Sequence, residues 1–160
     1  LVNGTAMLAG VLLSTTVVFA TGSLEFTPRY ALAIGAIVIG NAMSIATLTG
    51  RGFVHVVAER WDQVEGWLAL GATPRRATAD LGRFAVREAL IPSLDQTRTT
   101  GLVVLPGAFV GAIFGGISPV EAGRFQIVVL AAILCAGTIT ALLIWAWEGD
   151  VTVRPAAVEA

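Results

Sequence analysis

Lysine is absent: all ten basic residues of the 160-residue chain are arginines. A Walker A phosphate loop needs a lysine to reach the terminal phosphates of a nucleotide, and Schiff-base chemistry needs a lysine amine, so this chain by itself supports neither. Charge is scarce too, at 13% of residues with a formal net charge of −1, where soluble domains carry about 25%. That leaves no basic field to neutralise phosphates, and nucleic acid is excluded as an expected partner. One cysteine, Cys135, permits no internal disulfide, and with the single histidine, His55, it cannot assemble a Cys/His zinc site. Neither a resident metal nor a cofactor is expected, and no residue is expected to do chemistry on a substrate.

What the chain has is apolar mass: 56% hydrophobic residues and a mean hydropathy of +0.81. Such a balance cannot clothe a water-soluble surface, so the expected class is an all-α polytopic membrane protein in a lipid bilayer. About 20 apolar helical residues cross the roughly 30 Å hydrocarbon layer. Four segments reach or approach that length: 2–20, 30–48, 99–117 and 125–147. Each is expected to be helical, because a backbone in lipid satisfies its hydrogen bonds only within a helix or a closed barrel, and nothing here alternates with period two. The chain starts with Leu1 and enters its first apolar run at once, without a charged leader and cleavage site. It is expected to be the C-terminal part of something longer.

Arginine placement sets the expected orientation. Seven of the ten arginines, from Arg51 to Arg98, lie between the second and third spans, and the two short connections hold one each, Arg29 and Arg124. By the positive-inside rule the central loop, 49–98, is cytoplasmic, and so are both ends of the chain, in a multi-pass protein of the cell membrane. Trp145 and Trp147 fall where an aromatic belt would lie, and the tail 148–160 is expected to be disordered. Residues 1–147 then form a single transmembrane domain.

A loop of about 50 residues is far longer than a turn requires and should be structured. Phe53, Val57, Trp61, Val64 and Leu68 recur at helical spacing opposite Glu59, Arg60, Asp62, Gln63 and Glu65, which is an amphipathic helix. Gly71 ends it, Thr73 is placed to cap a new helix, and Pro74 sits in the first turn, where its missing N–H is harmless. On the second helix Ala77, Leu81, Phe84 and Glu88 form one line, and Arg76, Asp80, Arg83 and Arg87 another; Pro92 marks the expected end. Two helices broken at a Gly-Ala-Thr-Pro corner suit docking to a partner, while a hairpin lying among lipid headgroups fits the same pattern.

The segment from Glu65 to Pro74, with Glu65 and Gly71 six apart, resembles the cytoplasmic coupling loop of ABC-transporter permeases, although Gly66 and Trp67 replace two alanines of the general motif. Further runs occur in order: Gly-Asn-Ala-Met-Ser at 40–44, Gly-Ala-Thr-Pro at 71–74, Thr-Gly-Leu-Val-Val-Leu-Pro-Gly at 100–107, and Ser-Pro at 118–119 followed by Arg-Phe-Gln-Ile-Val at 124–128. Together they resemble the FetB-like permeases, a bacterial iron-export family with a plant branch linked to aluminium tolerance. The resemblance covers roughly residues 28–147 and implies a permease that works as a pair with two copies of a separate ATPase and moves a metal ion outward. It also implies that Glu65, Gly71, Thr73, Pro74, Arg75 and Arg76 couple the chain to that ATPase. Family members have further spans before the first one here.

Other candidates keep two readings each. Gly107, Gly111 and Gly115 recur every fourth residue in the third span, giving a smooth face for packing within one subunit or against a second copy, and Pro106 should kink that helix. Asn41 would be costly facing lipid and serves either an interhelical hydrogen bond or the translocation path, with Met43 and Ser44 within one turn. Asp95, Arg98, Thr99 and Thr100 read as a charged helix end at the interface or as a cytoplasmic gate. No acidic residue falls inside an expected span, so no tight intramembrane metal site is expected. A membrane scaffold that grips a soluble partner, and an importer permease, are the competing functions.

Overall fold

The computed structural model describes residues 2–100 and 105–155. The described residues form helices and turns: α1 (Val2–Ala20), α2 (Pro28–Glu59), α3 (Trp61–Ala69), α4 (Pro74–Ala77), α5 (Ala79–Thr99), α6 (Gly107–Phe114) and α7 (Pro119–Glu148). Three of them, α1, α2 and α7, are long and apolar enough to cross a membrane. α2 and α7 start where their sequences supply a cap: Thr27 and Ser118 each accept a backbone N–H three residues on, and a proline follows directly.

The bundle core is Val11, Val18, Ile34, Val38, Ala42, Phe125, Val129, Ile133 and Ala136, drawn from α1, α2 and α7. Small residues set the spacing. A methyl at Gly10 would overlap Thr140 and the Ala136 carbonyl, so α1 closes on α7 backbone to backbone. Ser14 strengthens the same contact, its buried hydroxyl donating to the Ala132 carbonyl at 2.8 Å. Ser14→Ala is expected to destabilise the protein by about 0.5–1.5 kcal/mol, the worth of an interhelical hydrogen bond in a membrane; thermal unfolding in detergent measures it. Leu8, Leu12, Val17, Leu32, Ile39 and Ile127 point outward, an apolar coat suited to lipid.

Four sequence expectations are corrected. The boundary at residue 48 is no break: α2 runs on to Glu59, about 48 Å in all, so the second span and the first part of the loop are one rod. The expected third span, 99–117, is not one helix. α5 ends at Thr99, Leu105 and Pro106 are non-helical, and α6 has 8 residues; residues 101–104 lie outside the described ones. Pro92 does not end its helix. It lies inside α5, on the exposed side with Glu88, so the carbonyl it frees is left toward the open face while Val86, Ala89 and Ser93 hold the buried one. Finally, the described part of the tail touches the rest of the chain at two points: Val151, partly buried, packs against the core beneath the loop, and Arg154 donates to the Ala58 carbonyl at 3.2 Å, while Val153 stays exposed.

Candidate functional site: the helical elbow and the cavity above it

The loop between α2 and α5 folds into an elbow whose core is Phe53, Val56, Val57, Val64, Ala77, Leu81 and Ala85, with Trp61, Leu68, Trp145 and Val151 partly buried around it. The amphipathic face expected from the spacing of Phe53, Val57, Trp61, Val64 and Leu68 is the face that packs. Arg60, with φ −106° and ψ 34°, breaks the rod and turns α3 away from α2. On the second helix the buried line is Ala77, Leu81, Ala85 and Ala89; Phe84 and Glu88 face outward. Phe84 lies under the Arg60 guanidinium, 5.6 Å from its ring centroid, and Arg83 pairs with Asp80 at 3.1 Å, as the charge spacing suggests.

The corner itself follows from Gly71. Its φ of +85° is the left-handed conformation that glycine adopts without steric cost. There the Gly71 N–H bonds the Leu68 carbonyl at 2.9 Å and the Ala72 N–H the Trp67 carbonyl at 3.0 Å, a Schellman closure of α3. Thr73 occupies the N-cap position of α4 and Pro74 its first turn, but the Thr73 side chain makes no capping bond. Glu65, Thr73 and Arg76 stay exposed, beside Trp67 and Leu70, the latter 82% exposed.

Arg75 does something else. Its guanidinium donates to the Ala146 carbonyl, one of the orphan acceptors at the end of α7. Thr78, fully buried, donates to the Gly149 carbonyl at 2.7 Å. Trp145 packs against Gly82, where any side chain would overlap the indole, and it is partly buried against both the elbow core and the cluster of Ile45, Val86, Ala89 and Ala141. The elbow is therefore fastened to the end of α7 by two side-chain hydrogen bonds and one close aromatic contact. Thr78, Gly82 and Arg154 carried no sequence signal, because each matters only through a partner about 60 to 100 residues away in the chain.

Farther along the bundle a cavity of about 310 Å³ opens between α2, α5, α6 and α7. Asn41, Gln96, Pro106, Gly107 and Gln126 line it among apolar neighbours. Asn41 donates to the Ile37 carbonyl of its own helix at 2.9 Å, not to another helix. Gln126 is 7% exposed and its Oε1 has no hydrogen-bond partner. A lone amide inside the apolar run of α7 was the signal that could have marked it. Met43 and Ser44 do not join Asn41: both face outward, and Ser44 bonds its own helix at Gly40. The glycine face of α6 is likewise open. A methyl at Gly107 or Gly111 would meet nothing within 4 Å, and one at Gly115 would meet the Arg29 side chain, so no described helix of this chain packs on that face. Among the described residues no three His, Cys, Asp or Glu side chains gather into a metal site; His55 is exposed and Cys135 half-buried.

The profile of the uncharacterised protein family UPF0014 matches residues 1–149. The rice (Oryza sativa subsp. japonica) UPF0014 membrane protein STAR2 is 40% identical over 138 residues, 86% of this chain and 48% of that protein. Protein ALUMINUM SENSITIVE 3 of Arabidopsis thaliana is 38% identical over 141 residues, 88% of this chain and 52% of the relative. The probable iron export permease protein FetB of Escherichia coli (strain K12) is 37% identical over 138 residues, 86% and 53% respectively. The chain thus spans about half the length of the curated relatives it matches. No solved structure matches it.

Proposed function

The chain belongs to the UPF0014 family of membrane proteins, and from that membership together with the elbow we propose that it is the permease part of an ABC-type transporter, driven by a separate ATPase. The observation that carries the reading is the fastening of the elbow to α7. A surface segment that merely sits on the membrane has no need of Arg75 on the Ala146 carbonyl, Thr78 on the Gly149 carbonyl and Trp145 against Gly82. A segment that receives force does. The 32-residue α2 enters the elbow from the other side without a break until Arg60, so displacement of α3 and α4 is passed to two spans.

In this reading the elbow is cytoplasmic. Glu65, Trp67, Leu70 and Arg76 form the surface that seats in the ATPase, and Gly71, Thr73 and Pro74 hold its shape. Arg75 joins that surface to α7. Two copies of the permease pair with two ATPases, and the chemistry of nucleotide hydrolysis stays on the partner. The relative named as a probable iron export permease supports a metal ion as cargo and outward transport. The complex supplies movement of the cargo and leaves its bonds unchanged.

The test uses the full-length protein purified with its native partners. A P-loop ATPase should co-purify, and Glu65→Arg with Arg76→Glu should release it or lower metal-stimulated hydrolysis about tenfold, the effect of ~1.4 kcal/mol at an interface, while insertion is unchanged. Co-purification of a partner without nucleotide activity would favour the scaffold function instead, and undiminished coupling in the double variant would reject the elbow as the docking segment.

A further inference from the structure

α5 climbs alongside α2 and α7. Val86 and Ala89 pack with Ile45 and Ala141, a methyl at Gly137 would touch both Ile45 and Leu90, and Gln96 faces the cavity with Asn41, Val129 and Ile133. With Leu90 opposite Gly137, five further residues at 1.5 Å each put Asp95 about 7.5 Å along, opposite the part of α7 near Ala132. Ala132 lies close to the centre of α7, Pro119–Glu148, an apolar helix long enough to cross the bilayer. Asp95 and Arg98 pair with each other at 3.7 Å, and their side chains are 59% and 81% exposed. Glu88 and Gln96 are exposed as well. Charged groups therefore stand at hydrocarbon depth on a face that no described helix covers.

Lipid is a costly neighbour for that face, since ionised side chains at this depth turn toward protein or water. The backbone beside it makes the same demand: α5 stops at Thr99 and α6 starts at Gly107 with Leu105 and Pro106 non-helical, and interrupted helix is tolerated inside a membrane only where protein or a watery cavity surrounds it. Gln126, whose buried Oε1 has no hydrogen-bond partner, is among the residues that line the cavity at this break. We propose that the exposed face of α5, from Glu88 through Asp95 and Arg98, together with the cavity at Gln96, Asn41 and Gln126, lines a water-filled path across the bilayer. α5 and α6 both border it, with Leu105 and Pro106 non-helical at the foot of α6. The path suits a hydrated ion, which keeps its water against neutral amide oxygens and meets two carboxylates, Glu88 and Asp95, the latter paired with Arg98. That the ion is transported cargo rests on the permease reading; that the face is wet does not.

Single cysteines at 95, 96 and 98, and a reference cysteine at Leu32 on the outer surface of α2, are placed in a cysteine-free background of the full-length protein in its native membrane. A charged methanethiosulfonate reagent is the probe. Cysteines at 95 and 98 should react at least about tenfold faster than one at 32, because a thiol needs water to form the reactive thiolate. Gln96→Cys keeps the test valid if loss of either charge prevents insertion, and it should react as fast. Rates equal to that at 32 overturn the path, whether lipid or dry protein covers the face. ATPase stimulation measured on the same variants separates the two claims: fast labelling without any nucleotide-dependent partner leaves the path and removes the transporter, and slow labelling with intact stimulation does the reverse.

Discussion

Replacing Gly82 by valine is expected to separate the elbow from α7 and to lower the melting temperature of the detergent-purified protein. A single methyl at this position would overlap three atoms of the Trp145 indole. The ring has nowhere to go, because it is packed into the elbow core on one side and against the Val86, Ala89 and Ala141 cluster on the other. Forcing extra carbon into such a site costs about 1–3 kcal/mol, and in a protein of this size each kcal/mol corresponds to roughly 2–4 °C. Gly52→Ala is the matched control, since a methyl there meets nothing within 4 Å. It should change stability by no more than about 1 kcal/mol, in the favourable direction that helix propensity gives. Amide hydrogen exchange in residues 146–151 should accelerate in the valine variant alone, as the Arg75 and Thr78 bonds to α7 open. Equal melting of the two variants would show that the Trp145 contact holds nothing.

Gly71→Val should act on function with a smaller effect on global stability. Its positive φ places the chain where a β-branched side chain is strained by roughly 1–2 kcal/mol or more, and α3 then loses the closure made by the Gly71 and Ala72 N–H groups. Gly71 is exposed and nothing surrounds its Cβ position, so the strain is relieved by redirecting α4 and leaves the core packed. A bias of one or two kcal/mol changes the ratio of native to redirected elbow roughly 5–30-fold. In the proposed transporter, transport and metal-stimulated ATP hydrolysis by the complete complex should fall by up to that factor, with the amount of inserted protein unchanged. Gly71→Asn, which tolerates the left-handed region better, should recover part of the loss. Loss from Gly71→Val without recovery in the asparagine variant would point to a surface contact of Gly71 and away from its turn geometry.

Periodicity made much of the elbow legible in advance. The buried line Phe53, Val57 and Val64, the corner at Gly71 and the start at Pro74 are local features, set by helical spacing and by backbone conformations particular to glycine and proline. The ends of helices near the membrane were less legible. Pro92 reads as a stop because a proline removes a hydrogen bond, yet the packing of Val86, Ala89 and Ser93 carries α5 through it. Likewise Leu48 reads as a boundary because the apolar run thins out there, while Phe53, Val56 and Val57 continue the buried face of α2 into the elbow.

The sequence by itself determined that this is an all-α membrane protein of the UPF0014 family with a structured polar loop and no nucleotide-binding lysine, because composition and spacing are properties of single segments. Only the tertiary structure decided that Arg75 and Thr78 grip the end of α7, that Asn41, Gln96 and Gln126 share a cavity while Met43 and Ser44 do not, and that Asp95 pairs with Arg98 on an exposed face of α5. Those facts depend on the level at which one helix meets another. Hydropathy is summed along a segment and carries no record of that level, which is set by where small residues such as Gly82 and Gly137 let neighbours close in.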